Sequence, residues 1–190
     1  MEKGELMDIN NVILSGRVTK VRHCTIKDKF AYLNINISEL PVLINLVGNK
    51  YNQKLAEDIT EFFKGDAYIA VNSAILDSSK GDRPIKQIVI KNDFSLSVDP
   101  LPEFSIAAVR GKILNYELQE GNVIATIGAS YYSKKPGESK GEYKNRLVKA
   151  KLEKNYTDNI VGAFMSTHGS LYLNGNDVYL NSYLSIIENA

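Results

Sequence analysis

The sequence repeats one order of short motifs, and this internal repeat limits the folds open to the chain more than any other feature. Residues 12–18, VILSGRV, resemble residues 108–113, AVRGKI, because a glycine followed by a basic residue interrupts each apolar run. Residues 64–69, KGDAYI, resemble residues 168–173, HGSLYL, in the same way. Both copies keep these motifs in the same order, so we expect two units of similar structure.

A short segment that contains prolines separates the two copies. Pro100 and Pro102 stiffen the chain here, because proline fixes its own backbone and restricts the residue before it. A chain of 190 residues has room for two small domains. We therefore predict a first domain over residues 1–99, a linker over 100–102 and a second domain over 103–190.

Each copy is predicted to contain five strands, with one short helix between the third and the fourth. In the first copy the strands cover residues 11–22, 30–38, 41–47, 66–76 and 85–98, and the helix covers 52–63. In the second copy the strands cover 106–118, 122–132, 143–153, 169–173 and 178–187, and the helix lies near 157–165. This order is typical of the OB-fold, a five-stranded Greek-key barrel, so the predicted fold is all-β with two tandem OB-folds.

The residues that many catalytic and metal sites need are scarce. Cys24 is the single cysteine, which excludes an intramolecular disulfide and is typical of a reducing compartment. With His23 and His168 as its two histidines, the chain lacks the ligands of a Cys/His zinc site. It also contains no phosphate-binding loop, dinucleotide fingerprint, zinc-protease motif or nucleophile elbow. We therefore expect a protein that is not an enzyme and needs no cofactor.

The sequence carries no signal for a membrane or for secretion. Its apolar runs are much shorter than the ~18 residues of a membrane span, and residues 1–5 mix both charges. A cytoplasmic protein without membrane contact is expected. The formal net charge of +1 means that any binding to nucleic acid depends on local clusters of charge.

The main cluster of positive charge lies between residues 134 and 154. This segment holds eight lysines or arginines and three glutamates, and eight minus three leaves a charge of +5 in a chain whose total is +1. Pro-Gly and Lys-Gly pairs predict a long hairpin between the second and third strands of the second domain. Such a hairpin serves either as a soluble loop or as a binding surface, and the positions of its aromatic residues favour the second interpretation.

Strand phase places aromatic rings beside these lysines. Because the apolar residues of each strand face inward, Tyr132 and Tyr143 lie on the outer face, near Lys149 and Lys151. Exposed rings stack on unpaired bases while basic side chains neutralise phosphates, so this surface predicts a site for single-stranded nucleic acid. The second domain is expected to supply most of the contacts. The candidate residues are Tyr132, Lys134, Lys135, Lys140, Tyr143, Arg146, Lys149, Lys151 and Lys112 in the second domain, and Arg17, Lys20, Arg22, Phe30 and Tyr32 in the first.

Three stretches resemble the bacterial- and phage-type single-stranded DNA-binding proteins. Residues 11–20, NVILSGRVTK, resemble the family's opening strand, where an apolar run leads into Gly-Arg-apolar-Thr-Lys. Residues 62–69, FFKGDAYI, are similar to the end of the family's helix and the strand after it. Residues 132–143 resemble the family's long loop between two stacking aromatic residues, which implies that Tyr132 and Tyr143 stack on bases.

The sequence departs from that family in two respects. The family usually stacks bases on tryptophan, and this chain has none, so weaker binding per base is expected from tyrosine. The chain also ends at Ala190 without the family's acidic tail, so replication or recombination proteins are partners only if they bind without such a tail. A compact version of this kind would suit a phage, a plasmid or another mobile element. Two barrels in one chain imply a homodimer as the four-barrel assembly.

The leading hypothesis is a protein that coats single-stranded DNA without sequence specificity, in replication, recombination or transfer of DNA. The alternative is an OB-fold interaction module of a replication or conjugation machinery, with weak or no DNA binding. The net charge near zero favours the alternative, and the cluster of +5 argues against it. RNA is a third possible ligand, since OB-folds bind both polymers.

Overall fold

Alternating burial along the chain explains why so much of it forms strands. In residues 32–37, Leu33, Ile35 and Ile37 are buried, and the more polar residues between them face the other side. The structure is a computed structural model that describes residues 8–27, 30–47, 57–58, 60–78, 82–91, 93–133, 139–153 and 160–188.

The chain is nearly all β, with twelve strands in the described ranges. The first half contains β1 (Ile9–Lys27), β2 (Phe30–Ile37), β3 (Leu40–Val47), β4 (Tyr68–Asp77), β5 (Arg83–Pro84), β6 (Gln87–Lys91) and β7 (Phe94–Ser97). The second half contains β8 (Phe104–Gln119), β9 (Asn122–Ser133), β10 (Glu142–Leu152), β11 (Phe164–Asn174) and β12 (Asp177–Glu188). Helical residues are described at 57–58 and 60–62, and no helix in these ranges is long and apolar enough to cross a membrane.

Five strands of the first half pair in a closed ring. β1 pairs with β2, β2 with β3, β3 with β6 in parallel, β6 with β4, and β4 with β1. Leu33, Ile44, Ile69 and Ile90 are fully buried inside it. The helical residues lie between β3 and β4, and Phe63, which follows them, packs into the same core. The ring is a closed five-stranded barrel of the OB type.

The strands of the second half pair in the same order. β8 pairs with β9, β9 with β10, β10 with β12 in parallel, β12 with β11, and β11 with β8. Ile113, Ile127, Val148 and Leu180 are fully buried inside this second ring. The one parallel pair of each ring joins the equivalent strands, β3 with β6 and β10 with β12.

Antiparallel pairing between β1 and β8 joins the two rings into one sheet, with Ile13 opposite Ile106. Beyond this junction β8 turns to pair with β9, and the backbones approach very closely at Gly111. A Cβ atom at position 111 would lie 2.3 Å from the carbonyl oxygen of Gly128. The glycine that interrupts the apolar run of β8 is therefore required by this close approach.

Two predicted elements of the first half differ from the structure. The single strand predicted over residues 85–98 is two strands, β6 and β7, which pair with different parts of β4. The segment between the predicted fourth and fifth strands, residues 77–84, contains β5, which pairs with β10 of the second half. A contact of this kind joins residues more than sixty positions apart, so local sequence patterns do not indicate it.

The helix predicted near residues 157–165 is wrong in its described part, and residues 157–159 lie outside the described ranges. Residues 160–163 form a turn, and Phe164 and Met165 begin β11. Gly162 has a φ of 96°, in the left-handed region, which a helix does not use. The N–H of Gly162 donates to the Ile113 carbonyl, and the Ile113 N–H donates to the Ala163 carbonyl, each over 2.8 Å. The backbone of this turn is therefore hydrogen-bonded to β8 and does not form the bonds of an α-helix.

Candidate nucleic-acid interface

The hairpin of β9 and β10 carries, at its far end, the two tyrosines that are predicted to stack on bases. Tyr132 lies directly opposite Tyr143 in the strand register. Their ring centroids are 5.4 Å apart and the ring planes are inclined by 65°, an edge-to-face contact. Tyr132 is 56% exposed and Tyr143 is 79% exposed, so both rings face solvent as the strand phase predicts.

The backbone of Gly141 holds the Tyr132 ring in place. Its N–H donates a hydrogen bond to the Tyr132 hydroxyl over 2.8 Å. A Cβ atom at position 141 would lie 2.6 Å from Cζ of this ring, so the contact needs a glycine. Tyr132 is therefore fixed between Gly141 and Tyr143, whereas Tyr143 presents the larger free surface.

The outer face of β10 leads from the tyrosine pair toward the barrel. Since alternate residues of a strand share a face, Tyr143, Lys149 and Lys151 lie in one line, which we call the β10 row. Val148 and Ala150, between these positions, are fully buried on the opposite face. At about 3.3 Å per residue, the row extends ~26 Å from Tyr143 to Lys151. The row is long enough to contact several nucleotides of an extended strand.

Two tyrosines that the sequence analysis did not select support the row from β11 and β12. Lys149 Nζ donates to the Tyr179 hydroxyl over 3.0 Å and lies 5.3 Å from the centre of that ring. This hydrogen bond raises the pKa of Lys149, so the amine stays charged at neutral pH. The Tyr179 ring lies 5.7 Å from that of Tyr172, whose pKa is raised by burial. The sequence does carry a signal for this pair of tyrosines. They lie opposite each other across the Asn-Gly-Asn-Asp turn at residues 174–177, so the hairpin register brings them together.

A cleft of about 760 Å³ opens beside Lys151, at the end of the row. It lies between the β8–β9 turn and the β11–β12 turn, and its walls include Asn122, Tyr172 and Asn181. These turns connect the first strand of the barrel to the second, and the fourth to the fifth. OB-folds bind oligonucleotides with these two loops and with the second and third strands. The row and the cleft together therefore form one continuous candidate surface.

The other predicted residues of the second half are distributed around this surface. Lys140 is exposed next to Gly141. Lys112 is exposed on β8, in register with Gly128, which is in turn in register with Leu147 on the outer face of β10. Lys134 and Lys135 lie outside the described residues.

Arg146 does not lie with the lysines of the β10 row, although it is among the predicted residues. Its side chain is 16% exposed and points to the face opposite the β10 row. Its Nε donates to Oδ1 of Asp77 over 2.9 Å, and its guanidinium lies 3.7 Å from the centre of the Tyr131 ring. Arg146 therefore contacts the first half of the chain, and its contact with phosphate remains a prediction that this geometry does not favour.

In the first half, the predicted residues do not form an equivalent surface. Arg17 is paired with Asp66, and this hydrogen bond raises the pKa of Arg17. Lys20 is exposed, and Tyr32 is half-buried opposite Asn45 of β3. The side chains of Arg22 and Phe30 lie outside the described part of the structure. No aromatic ring described in the first half is as exposed as Tyr132 or Tyr143.

Two acidic side chains near the candidate surface are paired with basic ones, while Glu120 lies in the wall of the cleft. Glu142 lies 2.6 Å from Lys144 and raises its pKa through their hydrogen bond. Asp177, next to the cleft, is paired with Lys86 of the first half. Within the described ranges, no group of three or more His, Cys, Asp or Glu residues is placed to hold a metal ion. The surface is therefore suited to binding by rings and cations.

The fold is similar to that of a known DNA-binding protein. The crystal structure of wild-type single-stranded DNA binding protein from Thermus aquaticus has a TM-score of 0.61 and 13% sequence identity, over 97% of this chain and 95% of that one. A deletion mutant of the same protein has a TM-score of 0.60 and 14% identity, over 97% and 96% of the two chains. No protein-family model matches the sequence, and a search of curated proteins finds no match. The resemblance indicated by the sequence motifs is confirmed as a likeness of fold.

Proposed function

We propose that the protein binds single-stranded DNA without sequence specificity, on the outer face of β9 and β10 and in the adjoining cleft. The observation that carries this proposal is the exposed Tyr132–Tyr143 pair in line with Lys149 and Lys151 on an OB-type barrel. The likeness of fold to a single-stranded DNA binding protein supports it.

The proposed mechanism is base stacking combined with phosphate neutralisation. A base stacked on an aromatic side chain contributes ~1–3 kcal/mol, and any of the four bases can do so because each has a flat face. Paired bases hide those faces, so a duplex cannot use the tyrosines in this way. Lys149 and Lys151 would follow the phosphates along the row. The proposed cellular role is to coat exposed strands during replication, recombination or transfer of DNA.

We also infer that the two rings of strands are two tandem OB-fold domains, over residues 1–99 and 103–190. The identical order of pairings and the equivalent parallel pair in each ring support this division. Residues 100–102, with their two prolines, lie between β7 and β8 outside the regular pairing.

A homodimer is proposed from an exposed apolar surface on the joined sheet. Alternate residues of β1, β8, β11 and β12 face solvent there, and Ile13, Ile106, Leu184 and Ile186 are each at least 36% exposed. Exposed apolar side chains of this kind, gathered on one side of a sheet, often mark interaction sites on folded proteins. A second copy is the proposed occupant, because one surface that binds its own copy closes a two-fold dimer.

The decisive test is fluorescence anisotropy of labelled oligothymidine of about 30 nucleotides, titrated with the full-length protein. We expect tight binding that a DNA duplex does not displace. Affinity should also fall with salt, by about 0.7 in log–log slope for each phosphate contacted. Replacing both tyrosines, Tyr132→Ala with Tyr143→Ala, should weaken binding about tenfold or more.

The matched control is the pair Tyr132→Phe and Tyr143→Phe, which keeps both rings and the packing around them. It loses the hydrogen bond from Gly141 to the Tyr132 hydroxyl, and it should keep most of the affinity. Binding that is unchanged in the double alanine variant would contradict the stacking role. No binding by the wild-type protein at low salt would contradict the function and favour the interaction-module alternative. Tighter binding to oligouridine RNA than to oligothymidine would assign RNA as the ligand instead.

A further inference from the structure

A segment of the first half crosses to the second half and attaches to the base of the tyrosine-bearing hairpin. Residues 83–84, which form β5, pair in parallel with residues 146–147 of β10. Just before β5, the Asp82 N–H donates to the Asn145 carbonyl over 2.8 Å. The Asn145 N–H in turn points to Oδ1 of Asp82 at 3.3 Å. Asp82 has a φ of 57°, which Asp tolerates better than most residues, so the connection relies on a specific local conformation.

An ion pair stacked on a ring lies at the same junction. Asp77, at the end of β4, accepts a hydrogen bond from Arg146 Nε over 2.9 Å. The guanidinium lies 3.7 Å from the centre of the Tyr131 ring, within the range of a cation–π contact. Arg146 and Asp77 are both largely covered, with side chains 16% and 22% exposed. Charged hydrogen bonds away from water are the ones that fix orientation well.

These contacts lie directly behind the tyrosine pair. Tyr131 is the neighbour of Tyr132 on β9, and Arg146 follows Tyr143 by three residues on β10. The hairpin therefore presents Tyr132 and Tyr143 on one face, while on its other face Arg146, stacked on Tyr131, is hydrogen-bonded to Asp77. Elsewhere, the Ser130 N–H donates to Asp8 over 2.7 Å, which adds another link from the first half to β9.

We propose that Asp77, Arg146 and Tyr131 form a brace that holds the hairpin in its binding orientation relative to the first barrel. This inference rests on the proposed function. In it, the three residues are positioning residues that act on DNA affinity through Tyr132 and Tyr143 without touching the strand. The burial of Arg146 and its position behind the β10 row distinguish this role from a phosphate contact.

For the variant Asp77→Asn, the brace and simple electrostatics predict opposite changes in DNA affinity. Asp77→Asn removes one negative charge near a surface that binds a polyanion, so charge alone would tighten DNA binding. Loss of the brace should instead weaken binding to oligothymidine, by about three- to tenfold. Tyr131→Ala should weaken it similarly, whereas Tyr131→Phe keeps the ring under Arg146 and should bind like the wild type.

Arg146→Gln separates positioning from direct contact through the salt dependence. A residue that neutralises one phosphate removes about 0.7 from the log–log salt slope when it is replaced. For a positioning residue we expect weaker binding with the slope unchanged. Amide hydrogen exchange in residues 130–133 and 139–146 should accelerate in both Asp77→Asn and Arg146→Gln, because the hairpin is released from the first half.

A destabilised control keeps these readouts specific. Ile127 is fully buried on β9, so Ile127→Val should lower the unfolding temperature. It should not change DNA affinity when binding is measured at a temperature where every variant is folded. Tighter binding by Asp77→Asn, or a slope reduced by about 0.7 in Arg146→Gln, would overturn the brace. If the wild type binds no DNA, the proposed function fails. Faster amide exchange in the variants would then still support the brace as a structural link between the two halves. Unchanged exchange would reject the brace together with the proposed function.

Discussion

At the scale of single residues, Glu188 is the carboxylate whose ionisation the fold controls most strongly among those described. Arg110 Nε donates to its Oε1 over 2.9 Å, Arg110 Nη2 to its Oε2 over 2.5 Å, and the Ser166 hydroxyl to its Oε1 over 2.6 Å. The hydrogen bond from Arg110, followed by that from Ser166, lowers the pKa of Glu188 from 4.5 to about 2. The pair links the end of β12 to the middle of β8.

The sign of the resulting pH dependence follows from linkage. Because the pKa of Glu188 is lower in the folded than in the unfolded chain, its contribution to stability is present above about pH 4.5 and is lost as the pH falls toward 2. Glu188→Gln should therefore lower the urea midpoint at pH 7 and have a smaller effect at pH 2.5. Glu120→Gln, at an exposed turn, is the control and should change neither midpoint. An equal loss at both pH values would contradict the assignment.

At the scale of elements, the approach of β8 to β9 depends on Gly111. The alanine variant would place Cβ 2.3 Å from the Gly128 carbonyl oxygen and 2.8 Å from its carbonyl carbon, so the two backbones must separate. Gly111→Ala should destabilise the protein by about 1–3 kcal/mol or more, measured by urea unfolding. Gly65→Ala is the control, because its Cβ would lie 4.0 Å from the nearest atom. Similar stability of both variants would show that the strands can part without cost.

The same elements show how far the sequence predicts the fold. β9 and β10 could be placed because alternation and turn residues are local signals, and Tyr132 and Tyr143 follow from strand phase. The β5–β10 pairing and the Asp77–Arg146 ion pair could not be placed, since each joins residues more than sixty positions apart. Arg146 was selected by its charge alone. Tyr179 was missed because its value lies in a contact with Lys149 across a parallel pair of strands.

At the scale of the whole molecule, the joined sheet leaves an apolar outer surface. Ile13 faces Ile106 across the β1–β8 junction, and Leu184 and Ile186 are exposed on β12, opposite His168 and Ser166 of β11. Leu184 and Ile186 are 50% and 55% exposed, so the single chain leaves about half of each residue uncovered. Their exposure is consistent with burial by another copy. The β10 row lies on a different strand, whereas the cleft beside it is lined in part by the turn ends of β11 and β12.

Sedimentation velocity tests this assembly directly. Wild-type protein should sediment at twice the chain mass of 21.2 kDa, and Leu184→Glu should sediment as a monomer. One substitution acts twice in a two-fold interface, since each copy contributes the same residue, and it buries an unpaired carboxylate.

Leu118→Glu is the control, because Leu118 is 70% exposed but lies at the far end of β8, away from this surface. A monomeric wild type, or a Leu184→Glu variant that still dimerises, would assign the apolar surface to a different partner. Because the β10 row belongs to one chain, the monomeric variant should keep its affinity for a short oligothymidine and lose affinity only for strands long enough to reach both copies.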